Sequence, residues 1–130
     1  MARLILDTTV LIDAERQGRQ LNRLIADEDD VVIAAVTAAE LLVGVELADD
    51  DRRPMRAAFV RSVLETVPIE DYDVQVARTH ATLLAHVRRT GRPRGAHDLI
   101  IAATAATRDR LVVSTDSSAF ADLPGVALRT

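Results

Sequence analysis

The chain has no cysteine and no lysine, and only 2% of its 130 residues are aromatic. The missing thiols exclude disulfides, zinc–thiolate centres and thiol nucleophiles, and they fit a reducing compartment. With so few aromatics, the core must be built from Ala, Val, Leu and Ile, which dominate a hydrophobic content of 48%. No apolar run approaches the ~20 residues that cross a bilayer. Asp7 and Asp13 interrupt the apolar stretch near the start, so no signal peptide is expected there. These absences lead us to expect a soluble, cytoplasmic protein with no membrane contact. An excess of positive charge is also missing: the net charge of −4 argues against a broadly basic nucleic-acid binder. No internal repeat or low-complexity linker divides the chain, and its length suits one domain, residues 1–130. Such a domain buries roughly two thirds of the surface its unfolded chain exposes.

What is present is an alternation of short apolar runs and helical patterns. Strands are expected at Arg3–Leu6, Val31–Ala35, Val67–Ile69 (broken by Pro68), Leu111–Ser114 and Val126–Leu128. Helices are expected over Thr8–Gln17, Gln20–Ala26, Thr37–Ala48, Pro54–Glu65, Asp73–Arg89 and Asp98–Arg108, with a Gly- and Pro-rich loop at Thr90–Gly95. Strands alternating with helices predict an α/β fold with a parallel sheet covered on both faces.

Four acids stand at the ends of these apolar runs, where burial normally excludes charge. Asp7 closes Leu4–Leu6, Glu40 follows Val31–Val36, Asp98 opens Leu99–Ala103, and Asp116 follows Leu111–Val113. In open α/β sheets the carboxyl ends of strands form the ligand-binding rim. Four carboxylates gathered there repel one another unless cations or protons neutralise them. The pattern therefore points to a metal site. Each acid also has a local structural explanation. Thr37-Ala38-Ala39-Glu40 matches a capping box. Asp7 and Asp98 suit helix N-caps, and Asp116 can open a turn with Ser117 and Ser118. Taken singly these explanations are ordinary; all four falling at such junctions favours a shared site. Capping and metal binding are also compatible, because a carboxylate has lone pairs for both.

These segments resemble the motifs of PIN-domain ribonucleases. Leu6-Asp7-Thr8-Thr9-Val10-Leu11 is similar to the family's opening motif. Thr37–Gly44 resembles the second, His97–Ala103 the third, and Ser114-Thr115-Asp116-Ser117-Ser118-Ala119-Phe120 the fourth. Order and spacing match over almost the whole chain, whose length suits the VapC toxins of bacterial toxin–antitoxin pairs. Two positions depart from the pattern: Ser114 stands where the family often has Thr, and no second acid accompanies Asp116. The resemblance implies a PIN-like, three-layer α/β/α fold with a mostly parallel sheet of four to five short strands. It also implies RNA cleavage, a cognate antitoxin, a homodimer, and contact with DNA only through that antitoxin. In the family pattern Asp7 and Asp98 ligate metal directly, while Glu40 and Asp116 act through water or complete a second site.

Oxygen ligands without thiolates favour Mg²⁺ or Mn²⁺ over zinc. Thr9 and Ser114 are candidates to orient the carboxylates or water, or else to make local turn bonds. Arg88, Arg89, Arg92 and Arg94 crowd one stretch and are candidate RNA contacts; the alternative is an exposed helix end where Arg complements the dipole. His80 is assigned to a helix face and His86 to the surface. His97 is read as a satisfied or exposed side chain rather than a substrate contact. The acidic runs Asp27–Asp30 and Asp49–Asp51 are read as solvated helix ends and loops.

Other classes fit less well. A phosphorelay receiver domain shares a carboxylate rim but needs a lysine, and this chain has none. A dinucleotide-binding domain needs a glycine-rich turn where Asp7-Thr8-Thr9 stands. A non-toxin PIN nuclease and a catalytically silent PIN-like binding domain remain as alternatives. The target RNA, the cleavage sequence and the number of metal ions are not written in the sequence.

Overall fold

The computed structural model describes residues 1–18 and 26–129. Along the chain run β1 (Arg3–Leu6), α1 (Thr8–Arg16), β2 (Asp30–Ala34), α2 (Ala35–Leu47), α3 (Arg53–Thr66) and β3 (Ile69–Glu70). There follow α4 (Val74–Thr90), α5 (Ala96–Arg108), β4 (Leu111–Val113), a 3₁₀ turn at Ser117–Ala119, and β5 (Ala127–Leu128). The helix expected over residues 20–26 lies outside the described residues except for Ala26. No described helix is long and apolar enough to cross a membrane.

The five strands form one sheet in the order β3-β2-β1-β4-β5, and every pair is parallel. Alternation along the central strands builds a core on each face. Ile5, Val32, Ala34 and Val112 pack with Val76, Leu83 and Val87 of α4 and Leu99, Ile101 and Ala102 of α5. Leu6 and Ile33 face the other way, onto Leu11 of α1, Leu41 of α2, and Val60 and Val63 of α3. The result is the expected three-layer α/β/α sandwich. Small side chains let α5 press closely on the sheet: Ala102, Ala103 and Ala105 are fully buried.

Several boundaries differ from the sequence expectation, each for a local reason. The second strand ends at Ala34 and α2 begins at once at Ala35, with Ala34 as N-cap. Thr37 therefore lies inside the first turn, and the Thr37–Glu40 capping box does not form. Asp98 is not an N-cap either: Gly95 holds that position and Asp98 sits in the first turn of α5. The third strand starts after Pro68, which lacks an N–H and contributes only its carbonyl, accepting from Ile33 N at 3.0 Å. The fourth strand stops at Val113, leaving Ser114 just beyond it. The loop after α4 starts one residue later than expected, at Gly91, whose φ of 67° ends the helix in the left-handed region. The first acidic run is not simply solvated. Asp30 opens β2 and pairs with Arg3 at 3.3 Å and Arg110 at 3.1 Å, while Asp29 pairs with Arg129 at 3.0 Å.

Candidate active site on the carboxyl rim

Strand register brings the first two elements of the site together. Leu6 is the partner of Val113, so Asp7 and Ser114 emerge side by side, and Asp7 N donates to Val113 O at 2.9 Å. Asp7 is only 2% exposed, yet its side chain makes no helix-capping bond although it occupies the N-cap of α1. Its Oδ2 accepts instead from Thr9 Oγ1 at 2.8 Å and Ser114 Oγ at 2.7 Å. Ser114 Oγ in turn accepts from Asp116 N at 2.9 Å. One carboxylate oxygen is thus fixed by two hydroxyls, and the turn carrying Asp116 is tied to the same relay. Asp116 itself is exposed and accepts from Ser118 Oγ at 2.6 Å.

Glu40 is positioned by the first residue of α1. Thr8 Oγ1 lies 2.9 Å from Glu40 Oε1 and 3.1 Å from Thr37 Oγ1. Thr8 has one hydroxyl proton and the carboxylate can only accept, so Thr8 donates to Glu40 and Thr37 donates to Thr8. Thr37 is fully buried and Thr8 nearly so. The other oxygen, Oε2, stands 3.6 Å from His97 Nδ1.

Asp98, on the first turn of α5, is half-buried. Burial first, then the charges of Asp7, Glu40 and Asp116, push its carboxyl above the usual aspartate range, with His97 opposing them. Asp98 therefore senses the charges of the other three acids. Among the described residues, no arginine forms an ion pair with any of the four; Glu40's contact with His97 is the one charge partner there.

This donor set fits a hard divalent cation. Its four acids offer only oxygens; Asp7 is held through Oδ2 and Glu40 through Oε1, with Glu40 Oε2 turned toward His97. Among the described residues, no three acids or histidines already stand close enough to enclose an ion. Mg²⁺ keeps several waters and is commonly held by one or two carboxylates.

The arginine stretch divides in two. Arg88 and Arg89 lie exposed in the last turn of α4. Arg92 lies 3.8 Å from Asp122, and Arg94 gives its two terminal nitrogens to Arg92 O at 2.8 Å and Ala121 O at 2.7 Å. Arg92 and Arg94 border a cleft of about 450 Å³ together with His86 and Thr90. His80 is indeed on a helix face, 2.8 Å from the Tyr72 hydroxyl.

Sequence reasoning did not find the Thr8–Thr37 hydroxyl pair or the approach of His97 to Glu40. Both depend on partners about thirty or more residues apart, and the visible signal at Thr37 was a helix cap. The Asp-Thr-Thr run was the available hint, since its first threonine is as well placed as its second to reach a neighbouring carboxylate.

The family model described as "PIN domain" matches residues 4–126. The chain is 42% identical over 126 residues to "Ribonuclease VapC5" of Mycobacterium tuberculosis, covering 95% of this chain and 89% of that protein. It is 27% identical over 130 residues to the "tRNA(fMet)-specific endonuclease VapC" of Salmonella typhimurium, covering 98% of this chain and 97% of that protein. Among solved structures, the VapBC-5 toxin–antitoxin member from Mycobacterium tuberculosis aligns with a TM-score of 0.81 at 34% identity, over 100% of both chains. DNA-bound VapBC from Salmonella typhimurium aligns with a TM-score of 0.87 at 26% identity, over 99% of this chain and 98% of that one. The match over residues 4–126, with a 42% identical relative along nearly the full length, shows that the chain belongs to the PIN-domain family, among its VapC members.

Proposed function

We propose that the chain is a Mg²⁺- or Mn²⁺-dependent endoribonuclease that cleaves RNA phosphodiester bonds, the toxin of a toxin–antitoxin pair neutralised by a cognate antitoxin. The observation that carries this reading is Asp98 opposed by the charges of Asp7, Glu40 and Asp116, with no arginine paired to any of the four among the described residues. RNA as substrate is supported by relatives named as a ribonuclease and a tRNA(fMet)-specific endonuclease. An antitoxin partner is supported by solved relatives that are toxin–antitoxin complexes, one of them bound to DNA. In this reading DNA is reached only through the antitoxin, the working form is a homodimer, and the protein acts in the cytoplasm.

Asp7 and Asp98 would hold the ion directly, with Glu40 and Asp116 acting through water or at a second position. When bound, the ion supplies positive charge at the scissile phosphate and acidifies the attacking water. The chain's own contribution is orientation. Thr9 and Ser114 fix Asp7 through Oδ2 and leave Oδ1 open. Thr8 pins Glu40 through Oε1 and turns Oε2 toward His97. Such outer contacts keep carboxylates from collapsing onto other donors when no ion is present. Arg88 and Arg89, exposed and with their charge uncommitted among the described residues, are the arginines free to meet phosphate.

The test is cleavage of single-stranded RNA in Mg²⁺ or Mn²⁺, repeated in excess chelator. Cleavage is expected only with metal, and induction in cells should arrest growth until the antitoxin is co-expressed. Cleavage that persists in chelator would overturn the metal reading. Cleavage without growth arrest would make this a non-toxin nuclease of the same family.

A further inference from the structure

Gly95 is where the site leaves no room for a side chain. A β-carbon built on it falls 3.4 Å from Asp98 Cγ and only 2.8 Å from Asp98 Oδ2, the latter closer than real β-carbons come to other atoms. Its backbone, with φ −59° and ψ 141°, is one that any residue adopts, so conformational freedom does not explain a glycine here. Nor can the surroundings yield. Arg94 anchors the loop just before Gly95 through the carbonyls of Arg92 and Ala121. Gly95 O accepts from Leu99 N at 3.1 Å, and Leu99 and Ile101 lock α5 into the core. The one soft partner is the Asp98 carboxylate itself.

We infer that Gly95 is a positioning residue: its missing side chain lets the Asp98 carboxylate lie back against the loop, at the border of the cleft it shares with Glu40. The inference rests on the metal-site reading above. A methyl group at residue 95 leaves the fold intact and rotates the Asp98 carboxylate away from the other acids. The same gap belongs to an open cleft of about 360 Å³ bordered by Glu40, Gly95, His97 and Asp98, through which a phosphodiester can approach.

The experiment compares wild type with Gly95→Ala by three measurements. The first is thermal unfolding, where the two should melt within a few degrees of each other. The second is the Asp98 χ1 angle in the metal-free protein, from three-bond NMR couplings, where a changed rotamer is expected. The third is Mn²⁺ affinity by water-proton relaxation, expected to weaken at least tenfold, with kcat for RNA falling and KM little changed. An unchanged Asp98 rotamer in a folded Gly95→Ala protein would overturn the inference. So would a changed rotamer with wild-type Mn²⁺ affinity. Should the wild type itself bind no Mn²⁺, the metal reading fails while the rotamer still decides the role of Gly95.

Discussion

The same kinds of carboxylate live two different lives in this molecule. On the rim, Asp98 is pushed upward in pKa by burial and by Asp7, Glu40 and Asp116. Elsewhere several acids are matched with guanidinium groups. Asp30 meets Arg3 and Arg110, and Glu70 meets Arg108 and Arg110. Asp73 caps α4, accepting from Val76 N at 3.0 Å, and pairs with Arg108. Its carboxyl is held below the usual range by that backbone bond and by Arg108, and Asp29 is held down by Arg129 and Ala2 N. One set ties strands and helices together; in the other, Asp98 is left facing like charge without an arginine partner among the described residues. Perturbation upward through like charges marks a functional cluster; perturbation downward through arginine marks a structural one.

The largest effect that tests this contrast is loss of the rim charge. Asp7→Asn or Asp98→Asn should lower RNA cleavage by at least about a thousandfold, roughly 4 kcal/mol of transition-state stabilisation. Stability should hold or rise, since a repelling charge is removed. Glu40→Gln should behave similarly. The amide oxygen can still accept from Thr8, so thermal unfolding should change by less than about 0.5 kcal/mol, while activity drops at least about a hundredfold, or ~2.7 kcal/mol. Full activity in any of the three would dissolve the distinction between the two sets.

On the other side, Arg110→Met should unfold the protein more easily without altering the chemistry. The Arg110 side chain is 5% exposed and bonds Leu4 O, Asp30 and Glu70. Breaking such a buried pair costs about 3–5 kcal/mol; the lower end is expected because Asp30 keeps Arg3 and Glu70 keeps Arg108. Specific activity per folded molecule, from urea-corrected assays, should be unchanged.

The two sets also predict opposite responses to pH in the metal-free protein. Asp98 has a raised pKa in the folded state, so the folded state binds its proton more tightly and stability is greatest below the ordinary aspartate value. That contribution is lost as pH rises through the raised pKa. Asp73 and Asp29 are lowered, so their stabilisation is present above the ordinary value and disappears as pH falls through their folded pKa. Melting curves of wild type and Asp98→Asn should therefore part company as pH rises above the aspartate range. Curves of wild type and Asp73→Asn should converge as pH falls below it. Parallel curves in either comparison would remove the electrostatic assignment.

Asp7 and Asp116 were legible in the sequence because each follows a conspicuous apolar run that is a strand, whereas Asp98 opens a helical run and Glu40 lies inside α2. The supporting contacts were much less so. Ala34-Ala35-Val36 is apolar throughout, and a buried strand and a buried helix look alike over so few residues. The strand-to-helix junction was therefore displaced by two residues, and Thr37 with Glu40 was available to be read as a capping box. The role of Thr37 depends on Thr8 across the β1–β2 pair, and that of Arg94 on a carbonyl 27 residues away. Neither leaves a periodic trace. The Arg110 network is equally invisible, since it joins residues 40 to 106 positions apart in the chain.

The smallest effect concerns cations rather than acids, and it carries the paired-versus-unpaired contrast into the arginine stretch. Arg94 is committed to two backbone carbonyls and Arg92 stands beside Asp122, whereas Arg88 and Arg89 project from the end of α4. That end and the start of α5, which carries Asp98, are joined by the short loop 91–95, so both lie on the rim side of the molecule. Each phosphate neutralised on a single strand contributes about −0.7 to the log–log dependence of binding on salt. Replacing Arg88 and Arg89 by Gln on an Asp98→Asn background, which prevents cleavage, should make that slope shallower by about 1.4 if each meets one phosphate. Replacing Arg94 should leave the slope nearly unchanged and instead loosen the loop before Gly95, lowering the melting temperature. A slope that responds to Arg94 and not to Arg88 or Arg89 would mean that the committed arginines hold RNA, and that hydrogen-bond occupancy is no guide to which charges this surface offers to its substrate.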